Sequence, residues 1–310
     1  MSAEATAVAG RSVRSRPPSR LAPGSAFWFI LPAAATLLLV FGWPLVFAMK
    51  ASFTGWSLVM PGSDQDYVGW QNYLDILNSA DYRQTVLVTL IYTFSAVSCE
   101  LVLGTCLALL LNTAFFWRGP IRSMMMIPMV MTPAVVGIFW KLLYDQQNGV
   151  FNWAITRVGL PRVQWLSLHM ALPSAVLMDV WQATPFFMLV LLAGLQTIDE
   201  NLLGAARVDG AGGWQVFRYI TLPHLVPYMM IAAAFRVIAA MGDFDKIYLL
   251  TGGGPGNATT TISIYAYLTG FSTFDMGHTT AVAWIFVLIV LVISAPLLWF
   301  LFRTARADRH

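Results

Sequence analysis

The chain has 310 residues, a formal net charge of +3, 58% hydrophobic residues and only 11% charged ones, with a mean hydropathy of +0.67. Soluble domains carry roughly a quarter charged residues, so the composition excludes an ordinary water-soluble fold and points to the bilayer as solvent. There is no basic stripe outside the tails, which excludes nucleic acid as a partner.

Residues 1–26 are polar and rich in Arg, Ser, Pro and Ala, the composition of a disordered tail. The apolar run 27–49 is too long for a signal-peptide core and lacks a small-residue cleavage site after it. It is read as the first membrane span. Five further apolar runs qualify as spans: 85–111, 121–144, 172–196, 225–241 and 279–302. The second contains both cysteines, Cys99 and Cys106. Seven residues along a helix separate them by about 10 Å, too far to pair, and they make no metal motif. The fifth run ends in Gly242, Asp243, Asp245 and Lys246, followed by the apolar stretch 247–250. That is either a broken helix or a re-entry lining an aqueous cavity, since irregular backbone at membrane depth needs cover from protein or water. Pro32, Pro44, Pro128, Pro133, Pro173, Pro185 and Pro296 lie in or at the ends of spans, where they bend helices and free carbonyls. Residues 303–310 form a short basic tail.

The arginines set an orientation. With the first residues inside, Arg11, Arg14, Arg16, Arg20, Arg118, Arg122, Arg207, Arg218, Arg303, Arg306 and Arg309 all fall on the cytoplasmic side. Lys50, Arg83, Lys141, Arg157, Arg162 and Lys246 fall opposite. Both termini are therefore placed inside.

Several chemistries lack their motifs. No segment matches G-x-x-x-x-G-K-[ST], so ATP hydrolysis would have to come from another chain. The glycine cluster 252–256 carries no lysine and opens no helix. The histidines His169, His224, His278 and His310 are scattered, and no metal site, nucleophile or catalytic residue is identified.

The informative segment is 197–224, between the fourth and fifth spans. Ala205 to Val208 can form a helical turn, Asp209-Gly210 is a turn signal, and Trp214 to Leu222 reads as a second short helix stopped by Pro223. Small residues at 204–206 and 210–213 permit close approach of another backbone. On physical grounds alone, the segment is either a docking surface or an amphipathic helix lying on lipid.

Its residues Ala205, Ala206, Asp209, Gly210, Ala211, Phe217, Ile220, Leu222 and Pro223 follow the pattern A-A-x-x-D-G-A, five residues, F-x-x-I-x-L-P. This resembles the coupling-loop signature of ABC importer membrane subunits. One position departs: the acidic residue that usually opens the signature is Gly204 here. Val68-Gly69-Trp70-Gln71-Asn72-Tyr73, the stretch around Arg122 to Pro128, Trp181 to Leu195 and Phe244 to Pro255 are similar to further motifs of the sugar-importing branch, of the maltose or glycerol-phosphate kind. The resemblance spans about residues 27–302. It implies an all-α membrane protein with six transmembrane helices in the type I ABC importer permease fold. It also implies a non-catalytic subunit that forms half of a carbohydrate pathway. The expected partners are a second permease subunit, a homodimeric ATPase that binds ATP and Mg, and an extracytoplasmic solute-binding protein. No cofactor is expected in this chain itself.

Ionisable groups inside spans are functional candidates. Here they are Glu100, Asp179, Arg236 and Asp243. Arg236 and Asp243 stand seven apart on one helix face, too distant for a direct bond, so each is expected to find a partner on another helix or water; Asp179 or Glu100 suits Arg236. The resemblance places sugar contacts on Gln182, Ala183, Phe186, Arg236, Ala239, Ala240 and Asp243. The alternative for the charged set is a structural ion pair, or, in a stand-alone secondary transporter or channel, an ion relay.

Overall fold

The structure, a computed structural model, describes residues 25–307. The polar tail expected over 1–26 lies outside the described residues up to position 24, and so do 308–310. Within the described residues the regular structure is helical apart from two isolated antiparallel bridges, Thr54 with Tyr67 and Ser57 with Asp275.

Residues up to Ala48 form a unit of their own. It contains α1 (Ser25–Leu37), a π turn (Leu38–Gly42) and most of α2 (Trp43–Ala51). Together they give one 22-residue candidate span, Ile30–Ala51. None of its described side chains up to Ala48 is buried. A helix that is apolar all round is a helix made for lipid.

The second unit begins at Met49. Its helices are α3 (Gln71–Asn78), α4 (Ala80–Asn112), α5 (Arg118–Val130), α6 (Pro133–Leu143), α7 (Val150–Arg157), α8 (Ala171–Leu195), α9 (Glu200–Val208), α10 (Gly213–Val216), α11 (Leu222–Met241), α12 (Asp245–Thr251), α13 (Ile262–Phe271) and α14 (Met276–Ala307). The α4/α8 pair is the spine, with α11 packed against both and α14 outside α11. α5 lies on α8, α6 pairs with α12, and α13 bridges α14 and α4. Three apolar clusters succeed one another through the bundle. Leu111, Leu191, Leu195 and Leu225 form the first, Tyr92, Met178, Phe187, Val237 and Ile247 the second, and Ile76, Tyr82, Ile262 and Val282 the third.

Among the described residues five helices are long and apolar enough to cross a membrane, and a sixth span exists if α5 and α6 count as one. That pair covers the third span expected over 121–144, and it is sharply bent: the two helices meet at 99°. The cause is Pro133. It pushes Thr132 into extended conformation (φ −65°, ψ 140°) because its ring excludes the helical geometry from the preceding residue, and it then starts α6 at a position where its missing N–H costs nothing.

The fifth span differs too. Pro223 does not stop a separate short helix. α10, a π turn (Phe217–Thr221) and α11 run on as a single helix, Gly213–Met241, of 29 residues. The Leu222 N–H bonds the carbonyl five residues back, on Phe217. The wider turn makes room for a ring that clashes with a regular α turn. At the far end the helix breaks at Gly242, as the sequence suggests, and resumes as α12. The last helix continues to Ala307, so the tail expected from 303 is helical over its first residues.

Candidate functional site

The four ionisable residues singled out in the sequence converge, and a fifth joins them. Arg236 on α11 places Nε 2.9 Å from Glu100 Oε2 of α4, off the hydrogen-bonding line and thus as an ion pair. Its Nη2 donates to Glu100 Oε1 at 3.1 Å and to Asp179 Oδ2 of α8 at 2.5 Å. Lys246 on α12 donates to Asp179 Oδ1 at 2.5 Å and sits 2.8 Å from Asp243 Oδ2. The Tyr92 hydroxyl of α4 donates to the same Asp243 oxygen at 3.2 Å. Glu100 and Asp179 are fully buried, and Arg236 and Lys246 are 7% and 4% exposed. Four helices and the break after α11 thus meet in one network of three carboxylates and two cations. Charges taken out of water persist only when paired and hydrogen-bonded.

Two expectations are corrected here. Arg236 and Asp243 do approach, to 3.8 Å, because the helix ends at Met241 and Asp243 lies in the break before α12 rather than on a continuing helix. Lys246, assigned by the sequence to an outer loop, is buried in the network. The signal that could have found it is its place three residues after Asp243, next to a helix break and before an apolar run. The break itself is cramped. A Cβ on Gly137 of α6 would lie 2.6 Å from the Lys246 carbonyl, so only glycine lets α6 lie against α12 here.

The residues expected to line a pathway are split. Gln182 is buried and its Nε2 donates at 3.1 Å to the Met131 carbonyl, at the bend between α5 and α6; its Oε1 is buried without a hydrogen bond. Ala183 and Phe186 are half-buried. On α11, Arg236 and Ala240 face the core, whereas Ala239 lies on an exposed face with Phe235, Ile238 and Gly242. Those positions recur at i, i+3, i+4 and i+7, a single helix stripe.

The 197–224 segment is a compact double turn. Asp199 caps α9 by accepting from the Asn201 N–H at 2.9 Å. α9 is nine residues long rather than one turn, and none of its residues is buried. Its end is a complete Schellman motif. The Ala211 N–H bonds the Ala206 carbonyl (2.9 Å), the Gly210 N–H bonds the Arg207 carbonyl (3.1 Å), and Gly210 takes φ +82°. This gives the signature a physical content: Gly210 must be left-handed, and Ala206 and Ala211 supply the bonded ends. The side chain of Gln215 then accepts from the Gly212 N–H at 2.8 Å and starts α10. The rings of Trp214 and Phe217 lie tilted by 33° to one another with centroids 5.4 Å apart. Gly204, Ala205, Asp209, Gly210 and Pro223 are exposed; Ala206, Ala211, Phe217 and Leu222 are half-buried. Val208, Trp214 and Tyr219 are 73–88% exposed. The segment is fastened at its base by Thr197, whose hydroxyl lies 2.9 Å from His224 Nε2 and 3.2 Å from the Tyr228 hydroxyl.

Comparison with known proteins fits this geometry. Residues 84–307 match the family described as binding-protein-dependent transport system inner membrane component. A probable ABC transporter permease protein of Sinorhizobium fredii, y4oQ, is 60% identical over 291 residues, 94% of each chain. The trehalose/maltose transport system permease protein MalF of Thermococcus litoralis is 41% identical over 205 residues, 66% of this chain and 70% of that one. In fold, the chain superimposes with a TM-score of 0.79 and 22% identity on a subunit of a bacterial ABC transporter that imports alginate, covering 90% of this chain and 96% of that one. The fold is therefore the all-helical type I ABC importer permease fold, and the subunit is the non-catalytic membrane component. The chain belongs to the family of binding-protein-dependent transport system inner membrane components.

Proposed function

We propose that this chain forms half of the translocation pathway of an ATP-driven importer for a carbohydrate, and that residues 204–223 receive the ATPase. The observation that carries the docking role is the double turn: a Schellman-capped helix with no buried residue, followed by exposed Trp214 and Tyr219. Exposed apolar side chains on a rigid, hydrogen-bonded scaffold suit a protein partner. Both termini and this segment are assigned to the cytoplasmic side from the arginine distribution. ATP and Mg belong to the partner ATPase, and a solute-binding protein delivers substrate from outside. Carbohydrate as cargo rests on relatives named for trehalose or maltose transport. Gln182, with a free buried acceptor, and the aromatic face of Phe186 suit hydroxyls and ring C–H groups. A second permease subunit closes the pathway over the exposed stripe that holds Ala239. Arg236, Ala240 and Asp243 act from behind that surface, fixing the helix break.

The test replaces Asp209 and Gly210 together by bulky residues in the complete complex reconstituted in liposomes. Uptake of trehalose or maltose and substrate-stimulated ATP hydrolysis are expected to fall together while the permease still inserts and binds its partner subunit. Full substrate-stimulated hydrolysis in that variant rules out the docking role. A stand-alone transporter, by contrast, would carry sugar without any ATPase present; membership of this family argues against it.

A further inference from the structure

The stretch from α2 to α3 belongs to neither the ion network nor the double turn, yet its fold is tightly specified. Thr54 pairs with Tyr67, with the Gly55 N–H bonded to the Asp66 carbonyl at 2.8 Å and the Val68 N–H to the Phe53 carbonyl at 2.9 Å. Ser63 is buried and fastens the tip: its hydroxyl accepts from the Ser57 N–H at 2.9 Å and donates to the Met60 carbonyl at 2.7 Å. The Asn72 side chain donates to the carbonyls of Ser52 and Thr54, both at 2.9 Å, and the Tyr73 hydroxyl lies 2.7 Å from Ser52 Oγ. The Leu58 N–H bonds the Phe274 carbonyl at 2.9 Å, which ties the stretch to the turn before α14.

This frame holds open a basin of about 780 Å³, within the range of small-molecule sites. Its walls combine Phe53, Tyr67 and Trp70 with Lys50, Asp64 and Gln65. Phe53 is the hub of the rings: it meets Trp70 edge-on at 5.0 Å and stacks with Tyr67 at 6.5 Å. Tyr67 and Trp70 nevertheless remain 76% and 65% exposed. The side chains of Lys50, Asp64 and Gln65 make no hydrogen bond or ion pair among the described residues. The basin thus offers exposed ring faces beside an unpaired donor, an unpaired acceptor and an amide that is both. Interfacial aromatic belts supply rings at the headgroup level, but they do not account for an unpaired carboxylate and amide gathered around the same concavity.

We propose that this basin is a binding subsite for a neutral pyranose saccharide on the outer face, where sugar rests before or during transfer into the pathway. Ring C–H groups lie on Tyr67 and Trp70, and vicinal hydroxyls bridge Asp64, Gln65 and Lys50. The assignment of the outer face and of a sugar ligand rests on the import reading above.

The test is saturation-transfer NMR on the complete complex in lipid nanodiscs, without binding protein, using trehalose and maltose as probes and mannitol, an acyclic polyol with no ring face, as control. Transfer to the two disaccharides and none to mannitol is expected. Trp70→Ala and Tyr67→Ala should each weaken the disaccharide signal about fivefold or more, the scale of one aromatic contact, and Trp70→Phe should retain most of it. Both rings are exposed, so these variants should fold, and an unchanged thermal midpoint checks that they do. Equal transfer in wild type and both alanine variants overturns the subsite. So does unchanged sugar binding with weakened association of the solute-binding protein, which would make the rings a protein contact. Uptake assays separate this from the import reading. Ring-dependent binding without any sugar uptake by the wild-type complex keeps the subsite and removes the cargo assignment.

Discussion

Arg236→Met removes one of the two cations from a buried network that holds three carboxyl groups. Glu100 then has no cationic partner, since Arg236 is the only one within ion-pair distance of it among the described residues. Its side chain is fully buried, so water cannot replace the guanidinium. Breaking a buried pair from one side costs about 3–5 kcal/mol. Adding Glu100→Met removes the carboxyl group left without a partner, with Asp179 and Asp243 still held by Lys246. The second substitution should therefore recover about 2–3 kcal/mol, and including Glu100→Met alone completes the double-mutant cycle that gives the coupling energy. The assay is thermal unfolding of the detergent-solubilised complex. At about 2–4 °C per kcal/mol, the single variant should melt about 6–20 °C lower and the double variant should regain about half of that. A double variant no more stable than Arg236→Met, or a single variant within about 1 °C of wild type, would refute the view that these residues act as one paired unit.

Gly210→Val should cost about 1–2 kcal/mol, because a β-branched residue is forced to φ +82°; the loss should appear as weaker ATPase co-purification while thermal unfolding of the bundle is unchanged. Gly137→Leu should push α12 off α6 and lower the thermal midpoint at least as much as Arg236→Met does. Asn72→Ala deletes both bonds that clamp the carbonyls of Ser52 and Thr54, each worth about 1 kcal/mol. Amide exchange over 52–68 should speed up about tenfold or more, with no change in α8.

The apolar runs were plain in the sequence because lipid demands them, and their ends were placed to within a few residues except at the fifth span, whose helix starts at Gly213 rather than at 225. The bend at Thr132 was less plain. Pro133 was visible, but a proline inside an apolar run permits either a kink or a full break, and packing of α6 on α12 decides it. Pro223 misled for a related reason: a proline stops an α turn, but nothing local announces that the chain has widened into a π turn before it. The Asp209-Gly210 turn was legible because a left-handed residue has a sequence mark. The ion network was half legible. Charges inside spans stand out, so Glu100, Asp179, Arg236 and Asp243 were found, but Lys246 sits in a polar-looking stretch. Only the break after Met241 and the packing of α12 on α6 and α8 show that this stretch is core.

The π turn at Phe217–Thr221 has a consequence for how chain length is tolerated. Deleting a residue from a regular helix swings everything beyond it by about 100° about the axis. Anywhere else in Gly213–Met241, such a deletion would rotate Trp214 away from its present phase with Arg236. Within the π turn it would let the extra residue out and relax the backbone to α, leaving both ends phased as they are. The ring of Pro223 would then meet a regular turn, at a cost of about 3 kcal/mol. Slack in length and the presence of this proline are therefore linked, and a relative one residue shorter here should carry another residue in place of Pro223.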